Sequence, residues 1–157
     1  MLVEFRVTNF RSICEEQCLS FAASSDKQHQ ETHCLDTGRP GVSRLLRSAV
    51  IYGANASGKS NLIFALMTMQ QLVLNSTRLL ENQFREQFTP FMLDGTSSLT
   101  PTQFEITLVI GALRYQYGFS FDDMRICGEW LLVYESSKAQ RWFEYHYNPR
   151  SEEHTSE

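Results

Sequence analysis

Basic residues do not dominate this chain. Lys and Arg number 14 against 18 Asp and Glu, for a formal net charge of −4. Nucleic-acid-binding modules ordinarily carry a basic excess or stripe, so direct DNA or RNA binding by these residues is not expected. Long apolar runs are missing as well. None approaches the roughly 20 residues that a membrane-spanning helix needs. The opening "MLVEFRVTNF" places Glu4 and Arg6 inside its apolar pattern, unlike a signal peptide. A cytoplasmic, membrane-free protein is the expectation. Cysteine is sparse: Cys14, Cys18, Cys34 and Cys127. With His29 and His33 the first three invite a zinc reading, but no second tight pair follows at finger spacing. Reduced thiols are the better expectation. No internal repeat and no low-complexity block occurs. What remains is a chain of 157 residues, 42% hydrophobic and 20% charged, long enough for one domain with its own core.

Residues 2–9, "LVEFRVTN", alternate Val3, Phe5 and Val7 with polar neighbours and predict a half-buried strand ended by "FRSI". Residues 16–22 suit a partner strand. Residues 24–47, rich in Ser, Gln, His, Gly and Arg, read as a long excursion in which Arg39, Arg44 and Arg47 belong to an ordinary solvated loop. "SAVIY", 48–52, reads as a buried parallel strand. A helix from Gly58 to about Asn75 is apolar almost all round and predicts burial on several sides, as between two sheets. A second helical piece spans "TRLLENQFREQF". After Pro90, "QFEITLVI", "LRYQYGFSF", "RICGEWLLVYES" and "RWFEYHYN" alternate as strands, with turns at Gly111-Ala112 and Asp122-Asp123. They predict an antiparallel meander with one apolar face.

Between the apolar run and the helix lies Gly53-x-x-x-x-Gly58-Lys59-Ser60. Strand, glycine-rich turn and helix in that order are the context a phosphate-binding loop requires. The glycines let successive N–H groups point inward as an anion nest. The helix N-terminus adds unpaired N–H groups and the positive end of its dipole. Lys59 is a compact cation with the reach of the β- and γ-phosphates, and Ser60 offers a hydroxyl to Mg²⁺. A plain connecting turn would not explain Lys and Ser at these two positions. The expected phosphate-binding set is Gly53, Asn55, Ala56, Ser57, Gly58, Lys59, Ser60 and Asn61, with Lys59 in the catalytic role and Ser60 on the metal.

"FRVTNFRSI" followed by "VIYGANASGKSNLIFAL" resembles the N-terminus of ABC-type ATPases of the RecF and structural-maintenance-of-chromosomes kind, through Asn9, Phe10, Arg11, Ser12, Asn55 and Asn61. Pro90-Phe91, "PTQFEI" at 101–106 and "YQYGF" at 115–119 are similar to bacterial AAA-type ATP-binding domains of overcoming-lysogenization-defect and abortive-infection proteins. The resemblance covers residues 1 to about 147. It implies an α/β fold, the N-terminal lobe of a P-loop NTPase with a mixed sheet around the loop's helix and an attached antiparallel meander. It implies ATP and Mg²⁺ as ligands, a nucleotide contact at Arg11, and a homodimer closed around two ATP molecules. It also implies coupling to an effector such as a nuclease or other defence toxin.

The same resemblance calls for an apolar strand ending in Asp-Glu, a signature loop from a second subunit, a late histidine and a glutamine facing the γ-phosphate. Gln83, Gln87 and Gln103 leave the glutamine unassigned. "YGFSFDD" alternates, so Asp122-Asp123 does not suit the buried acidic strand. No LSGG-like loop and no N-K-x-D guanine motif occurs, which disfavours a GTPase. The last residues, "RSEEHTSE" at 150–157, resemble the in-frame translation of a sequencing-library adapter. They hold Arg150 against Glu152, Glu153 and Glu157, so −2 of the −4 lies there and −2 remains for 1–149. The expectation is an ATP-binding domain over 1–149, cut before its catalytic acid, that belongs to an ATPase continuing past Pro149. The alternative is a non-hydrolysing nucleotide sensor or remnant.

Overall fold

The computed structural model describes residues 1–26, 28–39, 41–76 and 81–148, and of residues 81–83 the backbone alone. The tail at 150–157 and residues 77–80 of the expected second helix lie outside the described residues. In chain order the elements are β1 (Leu2–Thr8), β2 (Gln17–Ser20), α1 (Gln30–His33), β3 (Cys34–Arg39), β4 (Val42–Leu46), α2 (Lys59–Asn75), α3 (Glu81–Gln87), β5 (Thr102–Ile110), β6 (Leu113–Phe121), β7 (Ile126–Tyr134) and β8 (Ala139–His146). Six strands form one sheet in the order β2-β1-β5-β6-β7-β8, and β3-β4 form a separate hairpin.

The alternation in β1 buries Val3, Phe5 and Val7 and leaves Glu4 and Arg6 on the other face. Successive strand residues point to opposite faces, so a period of two sorts apolar from polar. The same sorting in β5 and β6 brings Phe104, Phe119 and Phe121 beside Phe5 and Val7, with Ala65, Met69 and Leu72 of α2 closing the layer. Phe104 is the hub. Its ring lies 5.5–6.1 Å, centroid to centroid, from Phe10, Phe121, Phe119 and Phe5. Such aromatic pairs add about 0.5–1.5 kcal/mol each beyond the burial of their area.

The opposite face is polar and cross-linked. Gly118 sits opposite Glu105 on one side and Trp130 on the other. Trp130 lies over this glycine, where any Cβ would collide with its ring, and its indole N–H donates to Glu105 Oε2 at 3.0 Å. Arg6 pairs with Glu16 at 2.7 Å and Glu4 at 3.2 Å. A smaller apolar cluster of Val3, Val42, Leu45 and Val109 seats the β3-β4 hairpin against the sheet. Burial pushes the Cys127 thiol up to about 11, helped by its hydrogen bond to Asp122, and burial also raises Cys18. Among the described residues no group of three or more His, Cys, Asp or Glu side chains is gathered as for a metal. No described helix is long and apolar enough to cross a membrane.

The meander, its two turns and the boundaries of β1 and α2 fall where the alternation predicts. Four expectations change. The excursion at 24–47 folds as a short helix and the β3-β4 hairpin, whose pairing Cys34–Leu46 and Leu35–Leu45 buries Leu45. Residues 48–52 form no strand: Val50 is 83% and Tyr52 88% exposed. Parallel strands require neighbours on their edges and layers on both faces, and here every strand pairing among the described residues is antiparallel and lies elsewhere. For the same reason the sheet is not mixed. Finally, α2 is buried on one side only, at Ala65, Thr68, Met69 and Leu72, while Ile63, Phe64, Met67 and Leu74 stay exposed. One sheet, not two, packs against it.

Candidate functional site

Lys59 opens α2, and Gly58 is its N-cap with φ +87°. A side chain at 58 would be strained by that left-handed backbone. It would also press on Ser12, because a Cβ there lies 3.1 Å from the Ser12 hydroxyl. Ala56, at φ +62°, is a second left-handed residue two positions earlier. These two reversals bend the chain so that residues 53–58 wrap the start of the helix. The first turn of α2 holds no acidic residue and makes no side-chain cap hydrogen bond, which leaves its positive end uncompensated.

Lys59 folds back over this loop. Its Nζ donates to Gly53 O at 2.9 Å, to Ala54 O at 2.6 Å and to Ser57 Oγ at 3.4 Å. An ammonium has three donor hydrogens, and here they meet loop oxygens that an anion's oxygens could replace. Ser57 N–H donates to Ala54 O at 3.3 Å, and Gly58 O accepts from Asn61 N at 2.9 Å and Leu62 N at 3.3 Å.

Two clefts open on the loop. The larger, about 590 Å³, is walled by the loop at Ser57–Lys59, by Ile51 and Tyr52, and by the turn after β1 at Ser12–Glu15. The smaller, about 300 Å³, is lined by Ser12 and Ala56–Asn61. Ser60 and Asn61 thus lie on the smaller cleft, while Asn55 and Gly53 line neither. Arg11 also lies outside both. Its guanidinium sits 4.7 Å from the centre of the Phe64 ring and 5.4 Å from that of Phe10, a cation–π seat on the exposed flank of α2.

The turn that carries Ser12 is anchored by Asn9, a residue the sequence marks only as part of a motif. Asn9 is 3% exposed and adopts φ +53°. Its Nδ2 donates to Thr100 O at 2.7 Å, Ser97 O at 2.8 Å and Thr100 Oγ1 at 3.0 Å, and its Oδ1 accepts from Phe91 N at 2.9 Å. Asn tolerates the left-handed region better than most residues. The signal for it is an Asn followed by Phe at the end of an alternating strand. Nearby, Asp94 is held down at about 2, chiefly by the hydroxyl and N–H of Ser97, and it also accepts from the Cys14 thiol at 3.6 Å.

Glu15 is the acidic side chain on the larger cleft, and no spacing in the sequence marks it. Asp122 is committed to its turn: Oδ1 accepts from Met124 N and Arg125 N at 2.8 Å each, and Oδ2 from Cys127 Sγ at 3.3 Å. Gln103 lies in β5 between Thr8 and Ser120, Gln87 ends α3, and the Gln83 side chain lies outside the described residues.

No curated protein matches the chain. Residues 48–156, running from the strap before the loop through the whole meander, match a family described as "AAA domain, putative AbiEii toxin, Type IV TA system". With most of its length inside that match, the chain belongs to this AAA domain family, and membership points to nucleotide binding and ATPase chemistry.

Proposed function

We propose that the chain binds ATP through residues 53–61 as the N-terminal part of an ATP-hydrolysing, ABC-like ATPase that gates a defence or DNA-related effector. The observation that carries this reading is the pose of Lys59, whose Nζ sits on Gly53 O and Ala54 O under a helix opened by a left-handed Gly58. In that pose the ammonium fills its own cradle, and incoming phosphate oxygens take over its hydrogen bonds. The N–H groups at the start of α2 and the helix dipole favour the same anion. Lys59 acts on the β- and γ-phosphates, where phosphoryl transfer depends mainly on position and electrostatics.

The donor set also fits Mg²⁺. Magnesium takes hard oxygen ligands and keeps several waters, and Ser60 supplies an exposed hydroxyl on the smaller cleft beside Lys59. When bound, the ion would neutralise phosphate charge. Ser60 would hold it, and Gly53, Asn55, Ala56, Ser57 and Asn61 would shape the loop around the polyphosphate. The family's description with a toxin of a type IV toxin–antitoxin system supports an effector of that class. A homodimer closed around two ATP molecules belongs to the same proposal.

A second reading, a nucleotide sensor without turnover, is favoured by Asp122. Its carboxylate is used up in a turn and offers no general base. The two readings share one test. Titration with a fluorescent ATP analogue in Mg²⁺, competed by ATP and GTP, should show ATP preference, and Lys59→Ala should weaken binding at least tenfold, about 1.4 kcal/mol. Equal binding by Lys59→Ala would remove both. ATP turnover by this chain that Lys59→Ala abolishes would exclude the sensor and require a catalytic acid within these residues.

A further inference from the structure

Ser12 belongs to the turn after β1, 49 residues before Asn61, yet its Oγ accepts from Asn61 Nδ2 at 2.7 Å. The same hydroxyl occupies the space that a Cβ at Gly58 would enter, 3.1 Å away. Ser12 lines both clefts. Behind it the turn is pinned at three points. Asn9 holds residues 91 and 97–100 through its amide, Arg11 N–H donates to Thr89 O at 2.6 Å, and Phe10 and Ile13 exchange backbone hydrogen bonds at 2.8 Å. A turn pinned to the antiparallel sheet is thus set against the left-handed glycine of the loop.

We propose that Ser12 is a positioning residue for the phosphate loop: seated in the gap left by Gly58 and holding Asn61, it fixes the shape of the cradle that receives the polyphosphate. The inference rests on the phosphate-binding reading above and deepens it. Gly58 without a neighbour has a wide choice of backbone conformations. Ser12 narrows that choice before ligand arrives, and preorganisation of this kind raises affinity by lowering the ordering cost of binding. Asn9 acts at one remove, by keeping Ser12 in place.

The test measures binding of Mg²⁺-ATP and of Mg²⁺-tripolyphosphate, which has no base or sugar, to the full chain by calorimetry. Ser12→Ala, Asn61→Ala, the double variant and Ser12→Thr are compared, with thermal unfolding of each in the absence of ligand. One lost hydrogen bond in a shaping role should weaken both ligands roughly five- to tenfold. The double variant should be little worse than either single one, because the two residues act as a pair. Ser12→Thr, which keeps the hydroxyl, should recover most of the affinity, and the ligand-free unfolding midpoint of Ser12→Ala should stay at the wild-type value. A loss confined to ATP would place Ser12 on the nucleoside and overturn the proposal. Additive losses in the double variant, or a fall in the ligand-free midpoint that accounts for the lost affinity, would overturn it too. Lys59→Ala serves as the control: if it binds tripolyphosphate as well as the wild type does, the phosphate-binding reading itself fails, and that result is distinct from any obtained at Ser12.

Discussion

The sheet and the strap that leads into the candidate phosphate loop are built on opposite terms. In the sheet, Phe5, Phe104 and Phe121 are fully buried and interlocked by their rings. In the strap, Val50, Ile51 and Tyr52 are just as apolar in sequence but lie open at 83%, 37% and 88% exposure. Hydrophobic content therefore does not separate the two regions; partners do. Each sheet strand finds an antiparallel neighbour one hairpin away, which costs little loop entropy. Among the described residues the strap has no such local neighbour. Stability is concentrated in the meander and its helix, and the candidate chemistry sits on a loop attached to that body at Gly58, Ser12 and Asn9.

Substitution at Phe104 should break the stable side of this contrast most severely. Phe104→Ala removes the ring at the centre of four aromatic contacts and should cost about 3–5 kcal/mol, read by urea denaturation. A loss under about 1 kcal/mol would mean that the core is spread more evenly than its geometry says. Next in size is Asn9→Ala, which strips the part-buried Thr100 O and Phe91 N–H of their Asn9 partner, while Ser97 O keeps its bonds from Thr100 N and Thr100 Oγ1. With unsatisfied buried groups costing roughly 1–3 kcal/mol, and these two only partly buried, about 1–2 kcal/mol is expected. Asn9 joins the two regions, so the variant should also lose nucleotide affinity, whereas Phe104→Ala should lose stability with affinity intact in the folded fraction. Equal effects of the two variants on affinity would erase the distinction.

How legible this was in the sequence follows the same line. Strands β5–β8 and the turns at 111–112 and 122–123 were readable because alternation and turn residues are local facts, and Asp122 caps its turn as such a residue should. The start of α2 was readable because Gly58 and Lys59 follow the glycine-rich turn that opens it. The β3-β4 hairpin was not, since Asp36-Thr37-Gly38 and Gly41 sit among residues with a loop's composition and only the burial of Leu45 and Val42 gives the pair its purpose. The role of Asn9 was hidden because its partners lie 82–93 residues away, and no local pattern reports a distant acceptor. Residues 48–52 and the outer face of α2 depart from their apolar pattern for a related reason: burial is a property of what covers a segment, which apolar composition alone does not specify.

The smallest effect is the sharpest check on the contrast. Val50 is among the most exposed apolar residues, and in the buried-strand reading its side chain would be packed against the layer covering its face of the strand. Val50→Ser should change the unfolding free energy by less than about 0.5 kcal/mol, as for other surface substitutions away from caps and turns. A buried valine replaced by serine would lose its transfer free energy and strand a hydroxyl, for roughly 2–4 kcal/mol. The two expectations are separated by several times the error of a urea titration. Repeating the measurement with saturating Mg²⁺-ATP asks whether the strap stays open when the loop is filled. If Val50→Ser becomes costly only then, the strap docks on nucleotide binding, and the open and interlocked regions are two ends of one ligand-driven change. If it stays neutral in both states, the strap is a tether, and the candidate phosphate loop draws its order from Ser12, Asn9 and its own internal hydrogen bonds.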